Sequence, residues 1–169
     1  ASTMIGQPGA PISVASGASL YSSGFGNDTS ENELITTQYI AKRFEFSDTR
    51  HIRAINHSWG DIPSPDTPND GNSLLTLGMD WIASEFDVLN IFAGNQFEDL
   101  NIRPSDNYNG ITVAMSEQFG GVFQVVHDNN DTDDFFDAEG DRVSIDLLAP
   151  GAGITVATIG AANPTITRT

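Results

Sequence analysis

An α/β fold, with a mostly parallel twisted sheet and flanking helices, is what the sequence predicts. Three observations carry this expectation. A strand pattern, a helix pattern and a second strand pattern follow one another from His51 to Ala93. The second strand, Val88-Leu89-Asn90-Ile91-Phe92-Ala93, is nearly continuous in apolar residues, as strands buried on both faces of a parallel sheet are. Further strand patterns then follow at 111–115, 121–127, 143–148 and 154–158 with no helix pattern between them.

The elements read as follows in chain order. Ala1 to Gly17 is rich in Gly, Ser, Ala and Pro, and Pro8-Gly9 marks a turn, so its first dozen residues read as a surface connection. Order is expected from Ser19, with Leu20 and Tyr21 in a short strand. Ser30 and Glu33 have capping-box spacing, and Leu34, Gln38 and Ala41 follow at helical intervals, which predicts a helix over about 31–44. His51 to Ser58 predicts a strand with Ile52, Ala54 and Asn56 on one face. Asp61 to Asn72 holds three prolines and Gly71 and is expected to be a surface loop. Ser73 can cap a second helix whose Leu74, Leu77, Gly78, Trp81 and Ile82 are expected to form one buried stripe. A right-handed crossover would bring Ser58-Trp59-Gly60 and Gly94-Asn95 to the same carboxyl edge, where open α/β sheets bind their ligands.

The chain has 169 residues, one domain's worth, and residues 1–169 are expected to share one core. Acidic residues number 23 against 7 basic ones, for a net charge of −16, and Lys42 is the sole lysine. A polyanion is bound by releasing its counterions to a basic footprint, so nucleic acid is excluded as a partner, and anionic membrane surfaces are disfavoured. The absence of cysteine removes disulfides, thiol catalysis and thiolate metal sites. No apolar run approaches the roughly 18 residues that span a bilayer, and the start has no signal-peptide pattern. A soluble piece, mature or trimmed, is expected.

Several features have plain readings. His51, His57 and His127 lack ligand spacing and are each expected to be ordinary surface or loop histidines. His57 and Ser58 adjoin, but neighbours on a strand point to opposite faces, which disfavours a base–nucleophile pair. Asp128 to Asp141 offers enough oxygen ligands for calcium, yet Asp133 stands where an EF-hand loop needs glycine. A solvated acidic loop or an irregular calcium site are the two readings there. Asn27, Asn56 and Asn130 begin Asn-x-Ser/Thr triplets, and Asn56 is expected in a buried strand, so glycosylation is not expected. Gly120-Gly121 reads as a turn before the next strand. Ala93-Gly94-Asn95 either starts a turn or forms a site in which glycine admits a close approach and the Asn95 amide donates to a developing oxyanion.

Taken in order, five of these segments resemble the subtilisin-like serine peptidases. Ala18-Ser19-Leu20-Tyr21 resembles the strand after the family's catalytic-histidine helix, and Ile55-Asn56-His57-Ser58-Trp59-Gly60 resembles its Ile-Asn-x-Ser-x-Gly strand. Leu77 to Ile82 with Val88 to Asn95 is similar to the helix and strand that lead into Ala-Gly-Asn. Asp106 to Val113 and Val143 to Gly151, the latter ending Ala149-Pro150-Gly151, resemble two later segments.

The resemblance implies roles at matched positions. Asn95 would be the side-chain oxyanion donor; Ser58, Trp59, Gly60, Ala93 and Gly94 would wall the pocket for the residue before the scissile bond. Phe25 to Asp28 would lie where extended substrate pairs. No Asp-Thr/Ser-Gly, His-Gly-Thr or Gly-Thr-Ser segment is present, so the triad motifs are missing, and the chain looks like the stretch between catalytic histidine and catalytic serine. A subtilisin-like core without its N- and C-terminal parts, inactive alone, is the leading expectation. No cofactor is required in it, and calcium is the cation to test. Its substrates would be peptides or proteins, its location extracellular or in the cell envelope, and the isolated piece is expected to associate with itself. A catalytically inactive peptide-binding domain of the same fold and an acidic calcium-binding module are the alternatives.

Overall fold

The computed structural model describes residues 15, 17–19, 21, 52–60, 69–94, 103–125, 145–151, 154–157 and 165–168. Its elements are β1 (Ala54–His57), α1 (Leu74–Phe86), β2 (Leu89–Ala93), β3 (Gly110–Phe119), β4 (Val122–Val125), β5 (Leu147–Pro150), β6 (Ile154–Ala157) and β7 (Thr165–Arg168). The expected helix over 31–44 and the acidic stretch Asp128–Asp141 lie outside the described residues. Among the described residues, Ala18, Ser19 and Tyr21 belong to no strand, against the expectation there, and Tyr21 is exposed.

The chain divides into two compact units. The larger comprises Ser23–Met115 and Val125–Ala149. In it β1, β2 and the first part of β3 pair side by side and parallel, with Ala54 opposite Leu89, His57 opposite Phe92, and Phe92 opposite Thr112. β5 pairs with β3, and the Asp146 amide beside it donates to the Thr112 carbonyl at 3.0 Å. An α/β architecture with a mostly parallel sheet is therefore present as expected, with one helix among the described residues.

α1 starts where Ser73 leaves the extended region and its Oγ accepts the Thr76 amide at 3.0 Å, satisfying one of the orphan donors of the first turn. It stops at Asp87, whose left-handed backbone (φ 50°) an aspartate tolerates better than most residues, and the Val88 amide closes back on the Ala83 carbonyl at 3.3 Å. Its buried face is Leu75, Met79, Ile82 and Ala83, at i, i+4, i+7 and i+8. This corrects the expected stripe. Of that set only Ile82 is buried, while Leu74, Leu77 and Trp81 are 54%, 49% and 48% exposed. The helix carries two apolar stripes, and both satisfy helical periodicity, so spacing alone could not choose between them.

Two strand expectations also change. In β1 the inward face is Ile55 and His57; Ala54 and Asn56 share the other face as expected, but that face is exposed, so Asn56 is not buried. In β2, Asn90 and Phe92 are buried, Leu89 is exposed and Ile91 and Ala93 are half-buried. The strand is thus sealed on one face only, because α1 packs there: Leu75, Met79, Ile82, Val88 and Phe92 form the core cluster, with Ile55 and Trp59 against it. Gly110 starts β3 where a Cβ would fall 2.7 Å from Phe92 Cε2 and 2.9 Å from the Asn90 carbonyl oxygen, closer than any side chain can sit.

The smaller unit comprises Ala1–Ser22, Ser116–Gln124 and Pro150–Thr169. The end of β3 turns through Gly120 and Gly121 (φ 58° and 88°) into β4, a two-residue connection whose positive φ angles glycine adopts freely. β6 and β7 form a second, antiparallel pair, with Ile154 opposite Arg168. β7 had no counterpart in the sequence patterns. Among the described residues no helix is long and apolar enough to cross a membrane.

Candidate functional site

Parallel pairing without a register gap determines which residues meet at the carboxyl edge. Because His57 lies opposite Phe92, Ser58 follows at the level of Ala93 and the backbone leaves both strands there. Ser58 and Gly60 are exposed, while Trp59, Ala93 and Gly94 are half-buried. These five sequence-derived site residues thus lie on adjacent strand ends. Asn95 lies outside the described residues.

The edge is anchored from below. The Gly94 amide donates to the Val113 carbonyl at 2.9 Å, continuing the β2–β3 ladder past the end of β2. A Cβ on Gly94 would stand 3.4 Å from Ala114 Cβ, Thr112 Cγ2 and Ile145 Cγ1, so that side of the glycine faces other side chains at van der Waals distance. The Asn56 Nδ2 donates to Ser58 Oγ at 2.8 Å, bridging two exposed residues at the rim.

His57 is the residue whose environment the sequence misjudged. It is 1% exposed, not a surface histidine, because its place two residues after Ile55 puts it on the inward face of β1. Its ring stacks on Phe92 (centroids 4.8 Å apart, planes 18°) and meets the Trp59 ring edge-on (5.3 Å, 86°). Asn90 is equally buried. Its Nδ2 donates to the Met79 carbonyl at 3.2 Å, which leaves Oδ1 to accept from His57 Nε2 at 3.1 Å and fixes the Nε2–H tautomer. Burial disfavours the imidazolium and pushes His57 below the ordinary histidine range, against a smaller upward pull from the Asn90 bond. The alternation of Ile55 and His57 was the available signal; the apolar character of Val88–Ala93 hid Asn90 as a polar partner.

Carboxylates outside this edge serve the frame. Buried Asp106 accepts the Gly71 amide and the Thr76 hydroxyl, each at 2.7 Å. Asp80 accepts the Tyr108 amide at 3.0 Å and the Asn109 amide at 2.8 Å, tying α1 to the turn before β3. Asp146 Oδ2 accepts the Thr112 amide at 2.8 Å. Part of the acidic excess is therefore structural, each of these carboxylates accepting at least one backbone amide. Among the described residues no group of three or more His, Asp or Glu could hold a metal ion. A groove of roughly 480 Å³ lies at the opposite, amino end of β2, lined by residues that include Arg53, Ser84, Asp87 and Asn109. It is remote in register from the strand ends just described.

The sheet, its helix and the paired strand ends define an α/β fold of the subtilisin-like kind. Among solved structures, the chain is similar to an S41 psychrophilic protease, with a TM-score of 0.58 at 19% identity over 93% of this chain and 50% of that one. It is also similar to fervidolysin from Fervidobacterium pennivorans, a keratinolytic enzyme related to subtilisin, with a TM-score of 0.52 at 19% identity over 79% of this chain and 16% of that one. The chain thus spans about half the length of the first of these proteins. At such identities the likeness is one of fold. No family model matches the chain, and no curated protein matches it by sequence.

Proposed function

We propose that this chain is the central α/β portion of a subtilisin-like serine endopeptidase and contributes the walls of its substrate cleft. The observation that carries the reading is the parallel β1–β2 register, with Ser58-Trp59-Gly60 beside Ala93-Gly94 at one carboxyl edge. In the intact enzyme, serine would attack the scissile carbonyl with histidine as base, and the Asn95 carboxamide would donate to the tetrahedral oxyanion together with backbone amides. Ser58, Trp59, Gly60, Ala93 and Gly94 would border the side chain preceding the scissile bond. In this reading the substrate is a peptide or protein, no cofactor takes part, calcium bound by the Asp128–Asp141 stretch would be structural, and the location is extracellular or in the cell envelope.

The test is to assay this chain and a longer one carrying both natural flanks on a chromogenic peptide, with and without a serine-directed inhibitor. The expected result is inhibitor-sensitive hydrolysis by the longer chain only. Comparable activity in the 169 residues alone would refute the division of labour. Flanks in which the triad positions are substituted, with peptide binding retained, would establish the inactive binding domain instead.

A further inference from the structure

The aromatic stack beneath the strand ends joins the core to the rim of the cleft through a group that can take up a proton. Phe92 belongs to the core cluster, His57 is stacked on it, and Trp59, itself packed against that cluster, meets the same imidazole nearly at a right angle. Trp59 is the half-buried residue of the Ser58-Trp59-Gly60 segment; it packs against the core cluster, and the His57 ring stands against it there.

We propose that His57 is a positioning residue for Trp59: the neutral imidazole, stacked on Phe92 and bound to Asn90, fixes Trp59 at the carboxyl edge, and the imidazolium releases it. Resting on the peptidase reading above, the consequence is that peptide recognition at this edge requires neutral His57 and is lost on acidification.

The geometry gives a direction to the proton. Nε2 already donates to Asn90 Oδ1, so an added proton goes to Nδ1 and places a full charge in a site with 1% exposure. Among the described residues, the side chains bonded to or stacked on the ring are Asn90 and Phe92 of β2 and Trp59 beyond its own strand, and none of these three titrates. Of the acidic side chains on the packed helix and the segment before β3, Asp80 accepts the Tyr108 and Asn109 amides, Asp106 accepts the Gly71 amide and the Thr76 hydroxyl, and Glu85 is exposed to solvent. Relief comes by moving the ring toward water, and Trp59, which stands against that ring, is flanked in sequence by the exposed Ser58 and Gly60. Loss of the neutral ring therefore loosens the segment that walls the cleft.

The experiment uses the full chain with Trp81→Phe, which leaves Trp59 as its single tryptophan. Trp59 emission is followed against pH while the His57 ring protons are followed by NMR, in the range where far-ultraviolet circular dichroism is unchanged. Binding of an acetylated alanine tetrapeptide amide ending in leucine is measured at neutral pH and at about pH 5. The expected result is an emission change with the midpoint of the His57 titration, abolished by His57→Phe, and peptide binding weakened about tenfold or more by acid in the histidine chain but not in His57→Phe. His57→Gln, which keeps a donor for Asn90 without a ring, likewise removes the acid response and covers the case in which His57→Phe does not fold. Emission indifferent to the His57 titration, or an equal acid loss of binding in both substituted chains, would overturn the proposal. Peptide binding at neither pH, with emission still tracking His57, would refute the peptidase reading and leave the coupling of His57 to Trp59 standing.

Discussion

Nε2 of His57 donates to Oδ1 of Asn90 across 3.1 Å, joining two adjacent parallel strands through side chains that are both buried. The bond makes the state of one imidazole a property of the sheet. Since folding lowers the affinity of this ring for a proton, the folded chain binds fewer protons than the unfolded one once the unfolded histidine begins to charge. The contribution of neutral His57 is complete above the unfolded value of about 6.5 and is lost as pH falls through the lower folded value. Urea midpoints across that range are expected to decline with acid in the natural chain and to decline less in His57→Phe. Parallel declines in the two chains would exclude His57 as the source.

Asp106 holds two donors from different segments, the Gly71 amide and the Thr76 hydroxyl. Hydrogen bonds to a charged acceptor contribute about 1.5–3 kcal/mol each, and Asp106→Ala also strands buried donors. A loss of about 3 kcal/mol or more in denaturant-derived stability is expected. A loss below about 1 kcal/mol would mean that water replaces the carboxylate at little cost.

The two glycines flanking β2 and β3 are expected to respond differently to a methyl group. At Gly110 the added carbon meets Phe92 and backbone below 3.0 Å, so Gly110→Ala should destabilise by about 1–3 kcal/mol, the range of overpacking. At Gly94 its neighbours stand at 3.4 Å, and Gly94→Ala should cost less than about 1 kcal/mol. Thermal denaturation of both substituted chains decides the matter, and equal losses would contradict the packing described.

Phe119, Val122 and Phe123 are all exposed around the Gly120-Gly121 turn. Clustered apolar exposure of this kind favours association, so sedimentation velocity should show mass that rises with concentration, and Phe119→Ser with Phe123→Ser should reduce it. A monomer at every concentration in the natural chain would contradict the expectation.

Much of the frame was legible because local chemistry and long-range order agree. Ser73 caps α1 as its hydroxyl requires, Gly120-Gly121 turns as paired glycines do, and the strand patterns at Ile55 and Ile91 correspond to β1 and β2. What escaped was the choice between faces. Leu74 and Leu75 are adjacent and equally apolar, and only the sheet decides that Leu75 turns inward. His57 and Asn90 read separately as polar residues, because their mutual satisfaction depends on a pairing across 33 positions of sequence. Likewise Asp80, Asp106 and Asp146 counted only as charge until their backbone donors were located.

The unbroken one-to-one match of Ala54–His57 with Leu89–Phe92 also dictates where the gene can gain or lose a codon. An insertion inside β1 would turn His57 outward and one inside β2 would turn Phe92 outward, and either would shift Ser58 out of step with Ala93. Length polymorphism among natural variants should accordingly be absent from these two stretches.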